Sequence, residues 1–268
     1  MSQRPVDTTT PSIARSYDAT LGGKDNFQVD RELADHVFEQ VPSARDMAVA
    51  NRQWLVRAVR WLAGEAGIDQ FLDVGSGLPT RENTHDVAQR VNPGARVVYV
   101  DNDPACLAYG RALLESSART RFVDADLTDP EALLNHERIA GVLDWDRPIG
   151  LIHCSTIHHV PDARDPHGLV QRYLAALPSG SYLALTHFWD PQDADGYYTA
   201  LARDLEQRME QLGSGWWRTR EQIRSYFDGL EMVEPGLVEL NDWWPCGPGL
   251  RERGPGERLC LGGVARKP

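Results

Sequence analysis

The chain has 268 residues. At about 150 residues per domain, that suits one large domain with an appendage, and a core needing neither disulfides nor metal. Its 28 basic residues against 39 acidic ones give a formal charge of −11, which argues against a general binder of nucleic-acid backbone. The N-terminus is polar, and no stretch approaches the roughly 18 apolar residues of a membrane span. Cys106, Cys154, Cys246 and Cys260 are scattered without C-x-x-C spacing. A cytoplasmic protein with free thiols is expected.

Residues 1–10 are polar and Thr-rich and are expected to be a disordered tail. From Pro11 to about Gly64 the pattern is helical, and residues 11–66 are expected to form a helical lid. Ser43 and Asp46 resemble a capping box. Beyond them Met47, Ala50, Trp54, Ala58, Trp61 and Leu62 recur at helical spacing, an apolar stripe on one long helix.

After Gly67 the rhythm changes. Strands are expected at 70–74, 96–101, 121–124, 149–154 and 181–187, separated by helices at 84–91, 104–116 and 167–177. This alternation predicts an α/β fold: a mostly parallel sheet with helices on both faces. Two further strands are expected at 231–240 and 258–265. The stretch between them, 241–257, contains Pro245, Pro248 and Pro255, so an antiparallel edge pair completes a seven-stranded sheet. Residues 67–268 are read as one cofactor-binding domain, with 190–229 a helical insertion. That insertion holds a helix over 195–212, a Gly-Ser-Gly break at 213–215, and a second helix capped by Thr219 and Gln222. It serves either as a spacer or as a substrate-side element.

The stretch Phe71-Leu72-Asp73-Val74-Gly75-Ser76-Gly77-Leu78-Pro79 carries the chemistry. A hydrophobic strand enters a glycine turn, where backbone without Cβ approaches a ligand closely. In an open α/β sheet, ligands sit at the carboxyl ends of such strands. The G-x-G-x-x-G dinucleotide fingerprint lacks its third glycine here, and Pro79 removes an amide donor. There is no phosphate loop of the G-x-x-x-x-G-K-[ST] type. An adenosine cofactor without phosphate fits better. Asp101 lies 26 residues after Gly75, where a carboxylate meets ribose hydroxyls. Asp126 closes the third strand, positioned for an adenine amine, with Leu127 to pack on the base. Three successive strands each ending in an acidic residue are far more specific than any one of them.

These residues resemble the class I S-adenosylmethionine-dependent methyltransferases. Asp73-x-Gly75-x-Gly77 is similar to their first motif, Asp101 to their second and Asp126 to their third. Gly150-Leu-Ile-His-Cys-Ser-Thr-Ile-His158-His159-Val resembles the fourth-strand motif. More narrowly, Pro11-Ser-Ile-Ala-Arg-Ser-Tyr17, Leu21-Gly-Gly-Lys-Asp-Asn-Phe27, Gly77-Leu-Pro-Thr-Arg-Glu-Asn83-Thr-His85 and Val98-Tyr-Val-Asp-Asn-Asp-Pro104 resemble one bacterial methyltransferase family. That family was formerly catalogued as a domain of unknown function. The resemblance implies a Rossmann-like methyltransferase sheet binding S-adenosylmethionine. Asp73, Gly75 and Gly77 would then flank the methionine part, Asp101 and Asn102 the ribose and adenine edge, and Asp126 with Leu127 the adenine. Ser155 would lie beside the sulfonium, and Tyr17, Gly23 and Lys24 would fold over the cofactor.

His153, Cys154, His158 and His159 invite a metal reading, but adjacent strand residues point to opposite faces and no second ligand pair is spaced to help. No metal is expected. Ser155 lacks the G-x-S-x-G context of a hydrolase nucleophile. His158, with His159 and His187 behind it, is the candidate general base. Trp216-Trp217, Trp243-Trp244 and Trp189 read as core more readily than as a substrate pocket. The expected activity is methyl transfer to an oxygen or nitrogen of a small molecule, with no nucleic-acid or membrane partner. The alternatives are a non-catalytic cofactor-binding module or an NAD-dependent oxidoreductase.

Overall fold

The computed structural model describes residues 5–40, 44–80, 82–115, 117–210, 214–247 and 252–268. Three helices come first: α1 (Ile13–Thr20), α2 (Gln28–Gln40) and α3 (Ala44–Gly64). Ser12 caps α1, its hydroxyl accepting from the Arg15 amide. Arg15 forms a buried ion pair with Asp30 at 3.1 Å and donates to the carbonyls of Asp7 (2.8 Å) and Thr10 (2.6 Å). That guanidinium ties down residues expected to be a loose tail. The capping box expected at Ser43 lies outside the described residues.

The apolar stripe of α3 does what its spacing requires. Met47, Ala50, Trp54, Ala58 and Leu62 are buried against one face of the sheet. Thus α3 is a wall of the core and not only a cover. Trp54 packs on Trp243 with ring centroids 5.8 Å apart, and Arg57 donates to the carbonyls of Trp243 (2.9 Å) and Leu240 (2.6 Å).

The strands are β1 (Gln70–Val74), β2 (Arg96–Asp101), β3 (Thr120–Asp124), β4 (Gly150–Cys154), β5 (Tyr182–Phe188), β6 (Glu231–Met232), β7 (Val238–Glu239) and β8 (Cys260–Arg266). Their order is β3-β2-β1-β4-β5-β8-β6, with β7 also on β8. The first five pair in parallel, and β8 runs antiparallel to β5 and to β6 and β7. The expected strand at 231–240 is instead two short pieces. Pro235 lacks an amide to donate, and Gly236 turns the chain at φ +89°. Among the described residues the expected seven-stranded sheet is thus present with its sixth strand split in two, β6 and β7 both pairing with β8.

The remaining helices are α4 (Thr84–Val91), α5 (Pro104–Leu114), α6 (Pro130–Leu134), α7 (Glu137–Ala140), α8 (Pro166–Ala176), α9 (Tyr197–Glu210) and α10 (Arg220–Ser225). Phe71, Val97, Tyr99 and Phe122 face the α3–α4–α5 layer, while Leu72, Val98, Val100 and Val123 face α6, α7 and α8. Strands buried on both faces are the mark of a parallel sheet between two helical layers. The box expected for α10 is present: Thr219 N donates to Gln222 Oε1 (2.9 Å), and Gln222 N to Thr219 Oγ1 (3.3 Å). The expected end of α9 at 212 and the glycine at 213 fall outside the described residues. Trp217 and Trp243 are buried as core, whereas Trp244 is exposed.

The chain direction across the sheet reverses between β1 and β4, which opens a crevice at their carboxyl ends.

Candidate active site

At that crevice lies a cavity of about 580 Å³, walled by α1, α2 and α3 and by the carboxyl ends of the strands. The β1 turn sets its floor. Gly75 sits at φ +74° and Gly77 at φ +70°, conformations that side-chain-bearing residues adopt at a cost. A Cβ on Gly75 would overlap Thr156 Cγ2, whereas nothing lies within 4 Å of one on Gly77.

Asp101 binds this turn to the next strand. Its Oδ2 accepts from Gly77 N at 2.8 Å and its Oδ1 from Asp103 N at 2.9 Å. A carboxylate offers about four acceptor sites, so these amides use two. Asp73 is buried and accepts from Thr84 Oγ1 at 2.6 Å. Burial pushes its carboxyl up to about 6, and burial also raises Asp101. Asp126 is exposed at the cavity wall, its Oδ1 taking the amide and hydroxyl of Thr128, and Leu127 stands beside it. Asn102 also lines the cavity.

Of the lid residues named from sequence, only Tyr17 reaches the cavity. Gly23 and Lys24 are exposed in the turn after α1 and do not line it. The Leu21–Phe27 block instead closes α1 onto α2. Gly23 lies against the Asp18 carboxylate, which accepts from Asn26 Nδ2 (2.7 Å) and Asp25 N (3.1 Å).

The cation beside the first loop comes from α3. Arg52 lines the cavity, donates to the Glu82 carbonyl at 2.7 Å, and is close enough to favour ionisation of Asp73. Next to it, Asn51 joins the lid to the sheet. Asn51 Nδ2 donates to Tyr17 Oη (3.1 Å), which donates to Ala48 O (3.1 Å), while Asn51 Oδ1 accepts from Thr186 Oγ1 (2.8 Å). Thr186 Oγ1 in turn accepts from the amide of Ser155 at 2.8 Å. Ser155 holds φ +58° at the end of β4 and faces the cavity. Sequence reading missed Asn51 and Arg52. The available signal was a polar residue on the buried stripe, four after Met47 and three before Trp54.

His158 and His159 follow β4 and line the cavity. His158 is buried, stacks on Phe188 at 3.5 Å between centroids, and has no hydrogen-bond partner at Nδ1 among the described residues. Burial, with His159, His187 and Arg218 nearby, holds its pKa well below the usual imidazole range. His159 Nδ1 pairs with Ser214 Oγ at 2.5 Å, and burial lowers its pKa to about 4. His187 stands behind them, outside the cavity. The Phe188 carbonyl takes its Nδ1 proton (2.7 Å), and Arg218 Nη1 donates to Nε2 (2.8 Å). The insertion contributes here too: Met209 lines the cavity, and Trp216 N donates to the His158 carbonyl at 2.8 Å. No tryptophan lines it, although Trp217 backs Phe188 at 4.3 Å. Among the described residues, no group of three or more His, Cys, Asp or Glu could hold a metal ion. Nor is any helix there long and apolar enough to cross a membrane.

A parallel sheet reversing at β1/β4, with a glycine turn and an acidic residue at each of three strand ends, defines a nucleoside-cofactor fold of the methyltransferase type. The whole chain, residues 1–268, matches the model of the S-adenosyl methyltransferase family Methyltransf_19, and the protein belongs to that family. A candidate methyltransferase from Thermobifida fusca YX is 46% identical, with a TM-score of 0.91 over 97% of this chain and 96% of that one. A DUF574 family protein from Streptomyces avermitilis MA-4680 is 39% identical, with a TM-score of 0.90 over 98% and 100%. An O-methyltransferase family protein from Burkholderia thailandensis, 15% identical, shares the fold at a TM-score of 0.53 over 80% and 55%. No curated protein matches the chain.

Proposed function

We propose that this protein transfers a methyl group from S-adenosylmethionine to an oxygen or nitrogen of a small molecule. The observation that carries the reading is one cavity lined by Asp73, Gly75, Gly77, Asp101, Asp126 and Ser155, which continues past β4 to His158 and Phe188. A non-catalytic module would need only the first part.

The residues fit the cofactor. Asp101 stands at the cavity wall where a carboxylate oxygen can also accept from a ribose hydroxyl, and Asp126 with Leu127 suits the adenine edge. Asp73 would face the ammonium of the methionine part, and Arg52, in the place expected of Lys24, its carboxylate. When bound, the cofactor supplies a methyl on a sulfonium, already activated for transfer. The chain then has to align the acceptor and exclude water. The chain's residues would hold the acceptor lone pair in line with that methyl, and the acceptor proton would pass out to bulk solvent. Burial holds the His158 imidazole well below its ordinary range, which weakens it as a proton acceptor and suits it more to orienting the acceptor than to keeping its proton. Turnover should therefore show no limb near pH 6.5 from an imidazole; a rate that falls about threefold from pH 7 to pH 6 in a still-folded, cofactor-saturated enzyme would restore His158 as the base.

Calorimetric titration with S-adenosylmethionine, S-adenosylhomocysteine and NAD tests the cofactor. Tight binding of NAD alone would sink the reading. Asp101→Ala should weaken S-adenosylmethionine by about 1–3 kcal/mol, the scale of a lost hydrogen bond to a charged group. Unchanged affinity in a folded variant would remove Asp101 from the site.

A further inference from the structure

The cavity is divided by charge along the sheet. The carboxylates that line it, Asp73, Asp101, Asp103 and Asp126, all stand at the ends of β1, β2 and β3 or in the turns that follow them. Beyond β4 the wall is different. Phe188 ends β5, Cys260 begins β8, Met209 comes from α9, and His158 and His159 stand between them. None of these carries charge at pH 7. His158 is buried, and His159, half-buried, is engaged by Ser214. The one cation lining this half among the described residues, Arg164, is exposed to solvent in the short turn Asp162–Arg164.

An ammonium or carboxylate carried into such a wall would lose hydration without gaining a counter-charge. An apolar body would gain burial at no such cost. His158 and His159 are the ring-bearing polar groups on this wall, and a neutral imidazole beside the cavity suits an uncharged O–H or N–H that needs no counter-charge.

Resting on the methyl-transfer reading above, we propose that the acceptor is an uncharged, largely apolar molecule. Its body fills the β5–β8 half of the cavity, and its nucleophilic O–H or N–H is the one polar group brought to the histidine pair. This favours hydroxyl or ring N–H acceptors over alkylamines and carboxylic acids.

Three probes with one apolar body separate the possibilities: 2-naphthol, 2-naphthoate and 2-naphthylmethylammonium. They are titrated calorimetrically at pH 7 into the full-length protein saturated with S-adenosylhomocysteine. Naphthol should bind about tenfold or more tighter than either ion. An ion that equals or surpasses naphthol overturns the proposal, as does failure of all three to bind at millimolar concentration. Met209→Glu should move the preference by about tenfold towards the ammonium, and Met209→Lys towards the carboxylate, with S-adenosylhomocysteine affinity showing that the fold is kept. An unchanged ranking in both variants places the binding elsewhere and overturns the proposal. If S-adenosylhomocysteine itself does not bind, the methyl-transfer reading fails. The probe ranking on the ligand-free protein then still decides the character of this half of the cavity.

Discussion

Between pH 7 and pH 5 the protein is expected to lose several kcal/mol of stability, an effect with its origin in four buried imidazoles. Burial lowers His153 and His187 to about 3 and His159 to about 4, and it holds His158 well below its ordinary value. The unfolded chain takes up these protons near pH 6.5, while the folded chain resists them until far lower. The unfolded state therefore binds more protons throughout this window, and stability falls as pH falls. Raised carboxyls oppose the trend, Asp18 among them. Asp73, raised to about 6, and Asp101, also raised, take protons in the folded state before the unfolded one does. They return part of the loss between pH 6 and the ordinary carboxylate range. The lowered imidazoles outnumber the raised carboxyls, so a net loss on the order of 1–3 kcal/mol per pH unit is expected around pH 5. Urea unfolding midpoints at pH 7, 6 and 5 measure this directly. A midpoint that does not move would mean that the imidazoles are hydrated.

Gly75→Ala should be the most damaging single methyl in the cofactor loop. Two costs add. A left-handed φ of +74° disfavours any Cβ by about 1–2 kcal/mol, and the new carbon would overlap Thr156 Cγ2, adding about 1–3 kcal/mol of overpacking. Any relief by backbone shift moves Ser76 and Gly77, the residues that Val100 and Asp101 hold in place. Loss of S-adenosylmethionine binding of about a hundredfold or more is the expected functional result. Gly67→Ala is the control, since it shares a positive φ of +68° but meets nothing within 4 Å. It should cost only the conformational part and leave binding intact. If the Gly75 and Gly67 variants behave alike in denaturation and calorimetry, contact with Thr156 is not what requires the glycine. Adding Thr156→Ser to Gly75→Ala removes the clashing methyl and should recover part of the stability.

Several elements were legible because their signals are local. The boundaries of β1 and β2 and of α4 agree with the pattern of apolar runs and turn residues. The Thr219–Gln222 box is found where two side chains three residues apart were expected to cap a helix. Tyr17, Asp73, Gly75, Gly77, Asp101, Asn102, Asp126, Leu127, Ser155 and His158 all line one cavity. Gly23 and Lys24 do not, because a motif that marks a family also records packing. Their block serves the Asp18–Asn26 contact between α1 and α2. The strand expected at 231–240 failed at Pro235, where the apolar pattern continues but the ladder hydrogen bonds cannot.

By itself the sequence determined the alternating β/α order, the glycine turn and the acidic ends of three strands. Those follow from the backbone preferences of neighbouring residues and need no knowledge of distant ones. Only the tertiary structure decided that Arg52 rather than Lys24 supplies the cation beside the turn. It likewise decided that Asn51 ties the helices to Ser155 through Thr186, and that burial around the histidines after β4 lowers their pKa values. A helix that precedes β1 must be folded against the sheet before its side chains meet the cavity, and an imidazole pKa falls only when burial removes its water. The uncharged wall beyond β4 arises in the same way, from chain segments far apart in sequence that are brought together at one end of the sheet.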